Sequence, residues 1–191
     1  MASSLAHLDL VVDDVLGLEL QRPRDPEALL SEEEFARDEF LPYWAELWPS
    51  ALELAAVVEA RELRGMRVLE LGCGLGVPSL VAARAGALVL ATDWAEDAIA
   101  LLRENARRNA IPLETAVVDW RDPAPLLECA PFELVLAADV LYERRSIDVL
   151  LDLLPRLGGE IILAEPGRPF AQRFLEQSHV EHVGERVFRL L

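Results

Sequence analysis

The sequence predicts a doubly wound α/β fold, a mostly parallel sheet covered by helices on both faces. Three features predict it. From Arg67 onward, short apolar runs alternate with helical stretches. The runs are nearly continuous in Val, Leu, Ile and Ala, as buried parallel strands are. The first run closes on Glu70-Leu71-Gly72-Cys73-Gly74-Leu75-Gly76, three glycines at alternate positions that lead into a helix. Such glycines let the backbone turn sharply and pass close to a ligand.

In chain order, Leu5 to about Gln21 reads as a β-hairpin. Leu8, Leu10 and Val12 alternate with other residues, as do Leu16, Leu18 and Leu20, which puts the turn at Asp13-Asp14. The prolines of Arg22-Pro23-Arg24-Asp25-Pro26 end the pairing. Pro42-Tyr43-Trp44-Ala45-Glu46-Leu47-Trp48-Pro49 leads to a helix over 51–60, with Ser50 as its N-cap. Strands follow at 67–71, 88–92, 115–119, 133–138 and 160–164, and helices at 78–85, 95–109, 147–154 and 169–177. Segments 180–184 and 186–190 form a terminal strand pair, giving a Rossmann-like sheet of seven strands.

A chain of 191 residues suits one domain, with residues 1–50 as hairpin and site-covering segment and 51–191 as core. Hydrophobic content is 52%, yet no apolar run reaches the roughly 18 residues of a spanning helix. Met1 to Leu10 lacks the basic start and apolar centre of a secretion signal. Two cysteines give no disulfide framework, and Cys129 falls in a Pro-flanked loop. The expectation is a soluble cytoplasmic monomer, without a membrane partner. A net charge of −16 disfavours nucleic acid, which needs a basic face. The same charge either steers a cationic substrate inward or serves only solubility.

The glycine turn narrows the ligand. Its Gly-x-Gly-x-Gly spacing differs from the Gly-x-Gly-x-x-Gly that aims a helix N-terminus at a pyrophosphate. Glu70 heads the turn, so a neutral or cationic ligand suits it better. S-adenosyl-L-methionine, a nucleoside carrying a sulfonium, fits that description. Glu70, Gly72, Cys73, Gly74 and Gly76 are the expected contacts, Cys73 being small enough for the turn.

Ligands of such sheets bind beyond the carboxyl ends of the strands, at the switch point of strand order. Asp93, 21 residues after Gly72, is placed to accept from ribose hydroxyls, with a helix cap as the alternative. Trp94 either stacks on adenine or fills core. Asp119 and Trp120 either meet the adenine edge or pack a loop. Ala138 is small enough to let the ligand lie close. Asp139 falls near the transferable methyl group or caps the next helix, and Tyr142 lies three residues beyond it. Glu165 either flanks the substrate or forms a turn. No metal enters this expected site.

With these residues in view, the chain resembles the seven-strand S-adenosylmethionine-dependent methyltransferases of class I. Within them it is similar to the family-16 group, which contains many protein-lysine methyltransferases. The resemblance rests on Glu-Leu-Gly-Cys-Gly-Leu-Gly, Thr-Asp-Trp, Val-Asp-Trp, the Trp48-Pro49 step and Asp139-Val-Leu-Tyr142, which fits the group's Asp-x-x-Tyr signature. Residues 42–45 and 165–168 look most like the branch acting on the electron-transfer flavoprotein β subunit, although Glu165 stands where that branch usually has Asp. The resemblance implies cofactor contacts at Trp48, Gly72, Cys73, Gly74, Asp93, Trp120 and Ala138. It implies a substrate-side role for Asp139 and Tyr142, and a lysine-bearing protein as acceptor. A small amine as acceptor, or a non-catalytic S-adenosylmethionine-binding module, are the alternatives. The chain holds no lysine of its own, so lysine transfer must reach another molecule.

Overall fold

The computed structural model describes Leu5, residues 8–29 and residues 43–191. Pro42, expected to begin the segment before the first helix, lies outside the described residues, as does most of the start of the chain. Strands β1 (Leu10–Val15) and β2 (Leu18–Pro23) pair antiparallel, from Leu10 opposite Pro23 to Val15 opposite Leu18. The turn is Leu16-Gly17 and not Asp13-Asp14. Both turn residues have positive φ, 55° and 71°, as a two-residue turn matching strand twist requires. Asp14 supports it from the flank, its Oδ1 accepting the Gly17 N–H at 3.2 Å. Asp13 instead pairs with Arg22 across the hairpin.

The main sheet has seven strands: β3 (Arg67–Leu71), β4 (Leu88–Asp93), β5 (Glu114–Val117), β6 (Leu134–Ala138), β7 (Glu160–Ala164), β8 (Val180–His182) and β9 (Val187–Leu190). Their order is β5-β4-β3-β6-β7-β9-β8. The first five are parallel, and β9 runs antiparallel to both of its neighbours. The chain winds outward from β3 to β5, then returns to lay β6 on the other side of β3. The switch point therefore lies between β3 and β6.

Side-chain alternation sorts the core into two layers. Val68, Leu134, Leu136 and Ile162 pack with helices α1 (Pro49–Glu59), α2 (Val77–Arg84) and α3 (Glu96–Arg108). Leu69, Leu71, Val135 and Ala137 face α4 (Ala124–Cys129), α5 (Arg144–Leu157) and α6 (Ala171–Ser178). Most expected boundaries hold within a few residues. α1 opens with Trp48 as N-cap and Pro49 in its first turn, so Ser50 is a buried helical residue and not the cap. β5 stops at Val117, leaving Asp119 and Trp120 in the following turn. α4 lies where a loop was expected, because its prolines sit at the N-terminal end, where a missing N–H costs nothing; exposed Cys129 ends this helix. α5 runs through Pro155 because burial of Leu154 and Leu157 holds its last turn to the sheet.

The hairpin docks on α3 through two asparagines one turn apart. Asn105 Oδ1 accepts the Gln21 N–H at 2.7 Å, and its Nδ2 donates to the Gln21 carbonyl at 2.9 Å. Asn109 makes the same pair of bonds with Glu19, at 2.9 and 3.0 Å. Two side-chain amides thus take the place of a neighbouring strand along β2. Asn105 is fully buried. Replacing Asn105 with Leu strands two backbone groups and is expected to cost about 1–3 kcal/mol, read by urea unfolding, with Asn109→Ala costing less at its exposed site.

Candidate active site

The loop after β3 is shaped by glycine. Gly76 has φ +71°, and a Cβ there would lie 2.4 Å from Leu102 of α3. Gly72 has φ +63°, and a Cβ there would lie 3.1 Å from both Trp120 and Val140. Two buried carboxylates then fix the loop. Asp93 Oδ2 accepts the Gly74 N–H at 2.9 Å and its Oδ1 the Ala95 N–H at 3.0 Å. Glu70 Oε2 accepts the Ser79 N–H at 2.9 Å and also the Ser79 hydroxyl. The N–H groups of Cys73 and Gly76 are taken by the carbonyls of Thr92 and Cys73. These engaged donors, with two acids beneath them, leave a poor seat for a pyrophosphate.

Beyond the strand tips opens a cavity of about 720 Å³, within the roughly 300–1,000 Å³ of small-ligand sites. The tip of β3 supplies Gly72, Cys73, Gly74 and Gly76 to its wall, and that of β4 supplies Asp93 and Trp94. Asp119 and Trp120 enter from the turn after β5, and Ala138, Asp139 and Tyr142 from β6. Residues 43–48 close one side, so all four tryptophans border the cavity. Glu70 departs from the expected set: strand alternation turns it with Val68 under α2, onto Ser79, and it is absent from the cavity wall. Its role is to hold the start of α2 in place.

Burial governs the acids of the loop. Desolvation raises the Glu70 carboxyl to about 8, against the Ser79 hydrogen bonds and with help from Asp93. Desolvation also raises Asp93, opposed by the Ala95 and Gly74 N–H groups. Burial, then the charges of Asp93 and Glu70, pushes the Cys73 thiol upward, so it stays a thiol. Asp119 is held low by Arg121, whose Nη2 donates to it at 2.5 Å. Trp120 Nε1 is buried on the cavity wall with no partner among the described residues, a donor available to a ligand.

Asp139 is the most engaged of the set. It has φ +53° and is 6% exposed. Arg168, in the loop after β7, grips both of its oxygens, Nε to Oδ1 at 2.8 Å and Nη2 to Oδ2 at 2.6 Å. Arg168 also lies 5.2 Å over the Trp48 ring. Glu165 behaves as a turn former, its Oε1 accepting from the Gly167 and Arg168 N–H groups. Tyr43 packs edge-on against Trp48 and Tyr142, at 6.2 and 5.1 Å. Sequence reasoning gave no role to Arg168 or Tyr43. Their signal lay in position, one beyond a strand tip and one in the aromatic segment before α1.

Fold and site together define a doubly wound α/β protein with a cavity of small-ligand size at the switch point of its sheet. The chain belongs to the family described as lysine methyltransferase, which matches residues 42–167. A histone-arginine methyltransferase of Xenopus laevis is 33% identical over 57% of this chain and 49% of its own length. The electron transfer flavoprotein beta subunit lysine methyltransferase of the same species is 33% identical over 66% of this chain and 53% of its own. The chain thus spans about half the length of these relatives. In fold it matches a 16S rRNA N2-guanine methyltransferase of T. thermophilus, solved with AdoMet and guanosine, over 95% of this chain and 49% of that one, with a TM-score of 0.62 at 20% identity.

The raised Glu70 carboxyl has a consequence for stability. A folded pKa near 8 against an unfolded value of 4.5 means that the folded state holds the proton more tightly. Its contribution is complete below pH 4.5 and fades as pH rises through 8. Glu70→Gln keeps an acceptor for Ser79 and removes the titration. In thermal melts from pH 4.5 to 8, wild type is expected to lose Tm relative to Glu70→Gln as pH rises.

Proposed function

We propose that this chain is an S-adenosyl-L-methionine-dependent methyltransferase whose acceptor is the lysine amine of a protein. The observation that carries the proposal is the convergence of the glycine turn, Asp93 and Asp139 on one cavity at the switch point. The residues present suit that cofactor. The loop is glycine where side chains would collide, and the N–H groups of Cys73, Gly74 and Gly76 are already engaged within the chain. Trp120 offers a buried N–H with no partner among the described residues, and Asp93, an acceptor with about four lone-pair sites, has capacity left for a ribose hydroxyl. Trp94 and Trp120 would flank the base.

When bound, the cofactor supplies a methyl group already activated on sulfonium. The chain therefore has to orient the acceptor and exclude water, worth several kcal/mol in favourable cases. The acceptor nitrogen must be neutral to attack. Asp139 and Tyr142, on the β6 side of the cavity, would direct its lone pair. Lysine as acceptor is supported by the family's description. A protein partner also suits the net charge of −16, which favours cationic surfaces over nucleic acid. Two free cysteines suit a reducing, cytoplasmic setting.

The direct test incubates the enzyme and methyl-labelled cofactor with lysate from a strain lacking the gene, then hydrolyses the labelled protein. Methyllysine is expected; methylarginine, or label confined to small molecules, would overturn the acceptor. Asp93→Ala is expected to weaken cofactor binding about tenfold to a hundredfold by calorimetry, from the loss of charge-assisted hydrogen bonds of ~1.5–3 kcal/mol. Asp139→Asn is expected to bind cofactor as wild type does and to lose at least about tenfold in turnover, an orienting contact being worth more than ~1.4 kcal/mol in the transition state.

A further inference from the structure

We propose that Arg168 is a built-in occupant of the seat for the acceptor's cationic side chain, and that an external alkylammonium or alkylguanidinium ion displaces it. The seat is assembled from separate parts of the chain. Asp139 supplies a buried carboxylate, with only 5% of its side chain exposed, against 32% for Arg168. A buried carboxylate needs a cation beside it, and in this structure the chain's own guanidinium answers that need. The backbone of Asp139 sits in the left-handed region, which Asp tolerates better than most residues and which costs of order 1 kcal/mol. That conformation turns its side chain toward the loop after β7.

Trp48 supplies an aromatic face 5.2 Å from the guanidinium carbon. Tyr43 joins Trp48 to Tyr142 by two edge contacts, so the wall beside the acid is continuous and aromatic. Acid plus aromatic wall is the chemistry that recognises organic cations. Glu165 from the β7 loop is the charged group that acts on the pair, and Glu46, Glu143, Arg144 and Arg145 line the same cavity.

Release is built into the loop. Glu165 Oε1 holds the N–H groups of Gly167 and Arg168, so the backbone is anchored by contacts separate from those that hold the Arg168 side chain on Asp139. Gly167 has φ +101°, and among the described residues no atom beyond its chain neighbours lies within 4 Å of where a Cβ would sit. Arginine suits the task better than lysine. A guanidinium keeps its proton at neutral pH, so the occupant is a permanent cation and not a free amine beside the methyl donor. The natural guest rests on the methyltransferase reading above; the seat itself does not.

The test titrates isotope-labelled full chain with ethylguanidinium chloride and n-butylammonium chloride, following the Trp48 indole N–H signal. A tethered side chain competes at an effective concentration of millimolar or more. Arg168→Ala is therefore expected to bind both cations at least about tenfold more tightly than wild type, with n-butanol giving no saturable shift. Arg168→Met, which keeps the stem on Trp48, should behave in the same way and decides the matter if the alanine variant fails to fold. Adding Asp139→Asn to Arg168→Ala should abolish the gain. Equal affinity in wild type and Arg168→Ala, or a gain that survives Asp139→Asn, overturns the proposal. Calorimetry of S-adenosyl-L-methionine on wild type separates the two readings. A chain that binds no cofactor sinks the methyltransferase assignment, while the cation titration still decides the seat.

Discussion

Two carboxylates under one loop set the geometry of the site. Glu70 ties the end of β3 to Ser79 in the first turn of α2, and Asp93 ties the end of β4 to Gly74 and Ala95. Together they lock the strand-to-helix passage on both sides of the glycines. Each interaction is buried, where an unmatched acceptor would cost far more than at the surface. The loop's path in turn sets the floor of the cavity, because Gly72 touches Trp120 and Val140, and Gly74 faces the Trp44 carbonyl. The glycines permit this path, and the carboxylates select it from the many that glycine allows.

The same pair explains the character of the ligand. In a dinucleotide site, loop N–H groups are left free to meet phosphate. In this loop those of Cys73, Gly74, Gly76 and Ser79 are already satisfied within the chain. The wall also offers the acceptor oxygens of Asp93, the unpaired indole N–H of Trp120 and aromatic surface. That inventory favours hydroxyls, a π-face and positive charge. The spacing of the glycines and the hydrogen-bond ledger of the folded loop lead to the same conclusion from independent facts.

Much of this was legible in the sequence because strand tips are marked by simple changes of composition. β3 and β7 are apolar runs that start at Arg67 and Glu160, and the structure begins and ends them at the expected residues. Once the sheet is doubly wound, the tips of β3, β4 and β6 must converge, so Gly72, Asp93 and Asp139 could be grouped without coordinates. The hairpin turn was misplaced because acids often occupy turns, while Leu16 takes positive φ only through its pairing with Gly17. Glu70 was legible in principle: alternation puts it on the face of Val68, away from the cavity. The Asp139–Arg168 pair was not. It joins residues 29 positions apart, and nothing in one chain's text selects that arginine from 18.

Trp48 links the segment before α1 to the rim of the cavity. It is the N-cap of α1, with Pro49 rigidifying the start of that helix. Its indole N–H donates to the Tyr43 carbonyl at 2.8 Å, which folds residues 43–48 into a compact turn over the glycine loop. Its ring carries Arg168, whose guanidinium holds Asp139. The face of Trp48 that carries Arg168 thus belongs to a ring joined through Tyr43 to Tyr142. The segment that borders the cavity and the cation on the acid thus meet on one aromatic ring. A cation that replaces Arg168 on Asp139 matches its contacts only if it also offers its charge to the same face, which favours long, unbranched cationic side chains over compact ions.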